Sequence, residues 1–182
     1  MKYAFGTEQD YLWGDSQKKH HDIINNYLKG KLHGNVLDIG ERNPLTVLME
    51  EANGISIDST EGDLDTFGAS FGDDRALYHS VVFSHVIEHL FNPLNALWRI
   101  QDFMVNDGVL YIIAPIKPYW ITPKKCHFHE MDEYRFRKLI ERAGFKITDW
   151  YKYSVPIPFR FSIRNWLRRF YKEWSIVTCE IA

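Results

Sequence analysis

The stretch VLDIGERNP, residues 36–44, decides how this chain reads. Val36, Leu37 and Ile39 make a short apolar run suited to a buried strand, and Gly40 follows where nucleotide-binding folds turn from their first strand into a helix. Such turns use glycine because it permits positive φ and, lacking a Cβ, lets a ligand approach the backbone. Here the glycines stop after the first one. Glu41 and Arg42 come next, and Asn43-Pro44 then reads as an N-cap followed by proline at the first helical position. PLTVLMEEAN, residues 44–53, predicts a helix that stops at Asn53-Gly54.

Outward from this stretch, strand and helix text alternate. Strand one covers Asn35 to Ile39, and ISID at 55–58 gives a second strand. SVVFSH at 80–85 and VLYIIAP at 109–115 are apolar, β-branched runs with helical text between them, the pattern of strands buried on both faces of a parallel sheet. Ahead of strand one, Ser16 is placed to cap a polar helix carrying Ile23, Ile24, Tyr27 and Leu28 on one face, with Gly30 and Gly34 ending it. After the last parallel strand, MDEYRFRKLIERAGF predicts a helix closing at Gly144, and KITDWYKY and SIVTCEIA read as two further strands. Alternation of this kind means an α/β fold. No repeat or linker divides the chain, so residues 1–182 read as a single domain with a helical segment at 1–34 and an insertion at 155–174.

Composition sets bounds on function. The 182 residues suit one hydrophobic core, and a formal charge of −2 gives no overall field that would attract nucleic acid. No apolar run approaches the ~20 residues that span a bilayer, and MKYAFGTEQD at the start lacks the apolar core of a signal peptide, so the expectation is a cytoplasmic chain. Cys126 and Cys179 form no CxxC pair, so reduced thiols are expected.

In an open α/β sheet, ligands bind beyond the carboxyl ends of the strands, where strand order reverses. Read together, the predicted ends offer Asp38 and Gly40, then Asp58, then Ser84 and His85, then Pro115. Taken singly, each polar residue is as well explained by a turn. As a set they form a site, because an acidic group 20 residues beyond Asp38 is placed to accept both hydroxyl hydrogens of a ribose.

VLDIG, then SID, then FSHVIEHLFNPLNAL with NDGVLYIIAP, resembles the class I methyltransferases that use S-adenosylmethionine, specifically the small-molecule group related to the ubiquinone and menaquinone methyltransferases. HFHEMDEYRFRKLIERAGF also looks like that family's late helix and its closing Ala-Gly-Phe. The resemblance runs from about Val36 to about Tyr153. It implies a Rossmann-like, mostly parallel sheet of seven strands with an antiparallel C-terminal hairpin, and S-adenosylmethionine as cofactor. Carried over by position, it makes Gly40 the first glycine of the cofactor loop, Asp58 the partner of the ribose, Asp63 a neighbour of the adenine amine, and Ser84 and His85 the lining on the methionine side. This sequence departs from the family in two places. Arg42 and Pro44 stand where the family has its second and third glycines, which gives Arg42 the alternative task of pairing with the cofactor carboxylate. Only four residues separate Asp58 from Asp63, which leaves no room for the family's helix after strand two.

Methyl transfer from a sulfonium is an in-line displacement, so alignment supplies most of the catalysis and a base is needed only where the acceptor must lose a proton. His127 and His129, after a loop carrying Tyr119 and Trp120, are the first choice for that base, ahead of His85 and His89. A metal reading of Cys126, His127 and His129, with His20 or His21, lacks a second pair at structural-zinc spacing, so no metal is expected. The helix at 160–174 has an aromatic stripe and an arginine stripe. It suits packing on the sheet or on a second copy in a homodimer, with peripheral contact to an anionic membrane as the alternative. The leading reading is methyl transfer to a small molecule or to a glycan or lipid precursor. The competing one is a non-catalytic module that kept the fold and lost the cofactor, and a nicotinamide-dependent dehydrogenase is disfavoured by the missing GxGxxG.

Overall fold

The structure is a computed structural model that describes residues 15–65, 70–71, 77–116, 127–129, 131–155 and 173–182. Tyr119, Trp120, Cys126 and most of the 155–174 insertion, with its arginine stripe, lie outside the described residues.

The first helix, α1 (Asp15–Leu28), precedes strand β1 (Val36–Asp38) and helix α2 (Pro44–Asn53). Ser16 lies inside α1 rather than at its cap. The ends of α2 are those the sequence predicts. The Asn43 side chain accepts from Leu45 N at 2.9 Å, Thr46 Oγ1 accepts from Asn43 N at 3.1 Å, Pro44 occupies the first turn, and Gly54 closes the helix at φ 65°. Strands β2 (Ile57–Glu61) and β3 (Ser70–Phe71) follow, then β4 (Tyr78–Ser84), a 3₁₀ turn (Ile87–His89), helix α3 (Pro93–Asp102) and strand β5 (Met104–Pro115). Helix α4 (Glu133–Arg142), capped by the Asp132 carboxylate on Arg135 N, leads into β6 (Phe145–Tyr153) and β7 (Trp174–Ile181). Trp174, expected on the amphipathic helix, instead opens β7.

The seven strands form one sheet in the order β3-β2-β1-β4-β5-β7-β6. β2, β1, β4 and β5 run parallel, and β6 and β7 form the expected antiparallel hairpin, with β7 also antiparallel to β5. β3 is antiparallel to β2, because the residues between Glu61 and Ser70 are too few for a parallel crossover, which needs about a dozen. Strand two starts two residues later than expected. Gly54 N and Ile55 N both bond back to Glu50 O, at 2.8 and 3.3 Å, so Ile55 belongs to the closing turn of α2. The strand begins at Ile57, whose N–H donates to Glu50 Oε1 at 3.0 Å.

Helices cover both faces. Ile24 and Leu28 of α1 and Leu45 and Met49 of α2 pack on one side with Val36, Ile57, Val82 and Ile113. Leu97 and Ile100 of α3 and Phe136 and Ile140 of α4 fill the other, against Leu37, Val81, Phe83 and Ile112. Burying each such side chain contributes about 2 kcal/mol. Tyr27 Oη fastens α1 to the hairpin by donating to Asp149 Oδ2 at 2.7 Å, with Thr178 Oγ1 at 3.0 Å. Cys179 is buried in β7 as a free thiol. Among the described residues, no helix is long and apolar enough to cross a membrane.

Candidate active site

The carboxyl ends of β1 and β2 enclose a cleft of ≈ 330 Å³ lined by Glu41, Arg42, Ser59, Thr60, Glu61 and Gly62. Its floor is built locally. Gly40 has φ 126°, a value that favours glycine, and its N–H donates to Thr60 Oγ1 at 2.7 Å, stitching the first turn to β2. The next residues need no second glycine, because among the described residues the only non-glycine with positive φ is His85. A capped helix start therefore replaces the flexible turn.

Behind the cleft, Asp38 is 2% exposed and accepts from Thr46 Oγ1 at 2.6 Å. Burial pushes its carboxyl up to about 7, against the opposing pull of the Thr46 hydrogen bond and the Arg42 charge. Arg42 does not present a free guanidinium. It grips Glu50 of α2 through both terminal nitrogens, and Glu50 in turn holds Ile57 N. This ion pair anchors the loop to α2 and satisfies the charge expected to meet a ligand carboxylate.

The acidic group at the end of β2 is Glu61. The register pairs Leu37 with Asp58 and Asp38 with Ser59, so continuing it sets Gly40 level with Glu61. Asp58 sits earlier on the strand and is not among the lining residues; its Oδ2 accepts from Tyr78 Oη at 3.0 Å. Gly62, at φ 91°, marks the true strand end, as Gly40 does for β1. Asp63 makes an Asx turn, accepting from Asp65 N at 3.0 Å. Asp65 then ties this loop to the one after β4, its carboxylate accepting from Phe91 N and Asn92 N at 2.9–3.0 Å.

At the end of β4, Ser84 Oγ is buried without a hydrogen-bond partner among the described residues, and His85 adopts φ 57°. Left-handed backbone in a histidine costs of order 1 kcal/mol and persists only where surroundings enforce it. Here His85 N donates to Ile113 O at 2.9 Å, and the ring stands edge-on to Trp174 at 4.8 Å. Its Nε2 lies 2.5 Å from Nε2 of His20, which α1 carries across from the other layer. At that distance one nitrogen must donate and the other accept, so the pair shares a single proton between the rings. Tyr153 Oη reaches His20 Nε2 at 3.4 Å, and Glu88 Oε1 faces His85 Nδ1 at 3.7 Å. Neighbouring His21 is lowered to about 4, by burial first and then by His85, against the opposing charge of Asp22.

His127 and His129 do not join this pair. The His127 ring stands perpendicular to His89, with centroids 4.7 Å apart, and His129 Nε2 lies 3.2 Å from Phe91 O. The sequence names His20 only as a metal candidate and does not single out Glu61. A Glu-Gly pair at 61–62 is a usable signal for a strand end at Glu61, whereas nothing local announces the pairing of His20 with His85, 65 residues away.

No family model and no curated protein matches the sequence. Solved structures do. The Burkholderia thailandensis 1,6-didemethyltoxoflavin-N1-methyltransferase, with bound 1,6-didemethyltoxoflavin and S-adenosylhomocysteine, superposes with TM-score 0.63 at 14% identity, covering 96% of this chain and 81% of the other. The mitomycin 7-O-methyltransferase MmcR gives 0.60 at 14% identity, over 92% and 54% of the two chains. The [4+2]-cyclase SpnF gives 0.60 at 13% identity, over 96% and 85%. The chain has the class I methyltransferase fold, and at these identities the likeness concerns the fold alone.

Proposed function

We propose that this protein transfers a methyl group from S-adenosylmethionine to a small acceptor, in keeping with the sequence resemblance to the ubiquinone and menaquinone methyltransferases. The observation that carries the reading is the cleft at the carboxyl ends of β1 and β2, edged by the acidic Glu61 and one strand away from the His85–His20 pair. Two interstrand steps, about 10 Å, separate the ends of β2 and β4, a span that one small ligand bridges. In this proposal Glu61 accepts from the ribose hydroxyls and Gly40 lets the ligand lie against the first turn. Asp38 and the start of α2 face its amino-acid end. Ser84 and His85 then flank the sulfonium, where the acceptor must enter in line.

Calorimetric titration with S-adenosylhomocysteine tests the reading. Micromolar binding is expected, and no detectable heat at millimolar ligand would refute it.

Where the acceptor must lose a proton, we assign the base to His85, relayed through His20, in place of His127 and His129, whose rings are engaged elsewhere. His85→Asn suits the test because asparagine tolerates the left-handed region. A screen of phenol, carboxylate and sugar acceptors, read by release of S-adenosylhomocysteine, should show turnover falling by roughly 10²-fold with cofactor affinity nearly unchanged. A parallel loss of affinity would mark the residue as structural. Glycan- or lipid-linked acceptors, membrane contact through 160–174 and homodimer formation are finer proposals that the same screen, vesicle sedimentation and a sizing experiment separate.

A further inference from the structure

Outside the cleft, Glu88, His89 and His127 each bring one ligand atom within 4.8 Å of the others. The chain holds them there by its backbone, since Phe128 N and His129 N donate to Glu88 O at 2.8 and 3.1 Å and clamp the 127–129 segment over the 3₁₀ turn. Two further observations point to a ligand. Glu88 is 2% exposed, and its Oε2 is buried with no hydrogen-bond partner among the described residues, while Oε1 is 3.7 Å from His85 Nδ1. A buried carboxylate left half-satisfied is costly, and a bound cation removes that cost. The His89 and His127 rings are also set at 87° with centroids 4.7 Å apart. Two imidazoles on one tetrahedral zinc ion, with Zn–N about 2.1 Å, have ring centres a little over about 5 Å apart, so these rings need to open only slightly.

We propose that Glu88, His89 and His127 form a site for one divalent transition-metal ion, zinc being the first candidate, with the remaining coordination positions open. Two imidazoles and one carboxylate suit zinc or iron(II) better than a hard cation such as magnesium or calcium. Ligand atoms on a single ion lie about 3–4 Å apart, so the site closes by up to about 1 Å on binding, within torsional reach of two half-buried imidazoles. The ion would neutralise Glu88, and its open positions would take water or an oxygen donor.

The site is independent of the methyl-transfer reading, and its test uses no cofactor. The full chain, stripped with a chelator and dialysed, is titrated with zinc chloride and assayed for bound metal. Cobalt(II) gives an optical readout of nitrogen and oxygen ligation. One equivalent of zinc per chain at micromolar affinity or tighter is expected, with a rise in melting temperature. His127→Ala and His89→Asn should each weaken binding at least tenfold, and His33→Ala, in a distant histidine pair, should leave it unchanged. Glu88→Gln complements these but removes a buried group, so the two histidine variants carry the decision. Absence of stoichiometric uptake by the folded chain, or uptake equal in wild type and both histidine variants, would overturn the site.

Discussion

Glu61→Ala is expected to weaken S-adenosylhomocysteine binding by roughly 10²-fold or more, the largest effect of any single substitution in the cleft. A carboxylate that accepts two ribose hydroxyls makes two charge-assisted hydrogen bonds of about 1.5–3 kcal/mol each. Glu61 is exposed in the unliganded chain, so the lower end applies, a total of about 3 kcal/mol. Because the side chain is exposed and among the described residues has no buried partner to abandon, folding should be unaffected, and a calorimetric titration isolates the binding loss. Asp58→Ala is the paired control. Its carboxylate meets Tyr78 Oη and is not among the lining residues, so cofactor affinity should change only slightly while Tyr78 loses its acceptor. The reverse outcome, with Asp58 essential and Glu61 dispensable, would mean that the ligand does not follow the strand register seen here.

The strand end expected at Asp58 and found at Glu61 shows what the sequence could and could not specify. Helix ends are written in local chemistry, so Asn43, Pro44 and Gly54 bound α2 where their side chains and φ preferences require. The order of strands and helices and the closing hairpin follow from hydrophobic patterning in the same way. The start of β2 does not, because Ile55 and Ser56 continue a strand-like pattern while the backbone is still completing the turn of α2 through Glu50 O. The strand's carboxyl end accordingly falls at Glu61, beyond the expected Asp58, which changes the acidic residue standing there. The sequence suggests Arg42 as a partner for a carboxylate, and the folded chain also pairs it with Glu50 of α2, a contact that spacing alone does not announce. The His85–His20 pair is further still from any local signal, since it joins α1 to the end of β4 across 65 residues of sequence. The antiparallel β3 could have been inferred from connection length.

Asp38 should make the stability of this protein fall as pH rises from about 4 to about 7. Its carboxyl is raised from 3.8 to about 7 chiefly by burial, so over that window the unfolded chain has released the proton while the folded chain still holds it. The unfolded state binds fewer protons there, and the free energy of unfolding therefore declines with pH, by up to about 4 kcal/mol, levelling off above pH 7. Other carboxylates oppose this slope. Glu50 and Glu133 are lowered by their cationic partners and add stability as they ionise at more acid pH. The Asp38 contribution is isolated by Asp38→Asn, whose side-chain oxygen can still accept from Thr46 Oγ1 but cannot ionise. The stability of the variant relative to wild type should increase steadily between pH 4 and 7, measured by denaturant unfolding at each pH. A difference that stays flat would mean that Asp38 ionises in the folded chain as readily as in the unfolded one. Under the proposed function the cationic amino-acid end of the cofactor lies in front of this buried group, and its charge would favour the ionised form. Saturating S-adenosylhomocysteine should then shrink the wild-type slope and leave Asp38→Asn unchanged, linking the buried acid to the ligand through a measurement that needs no acceptor.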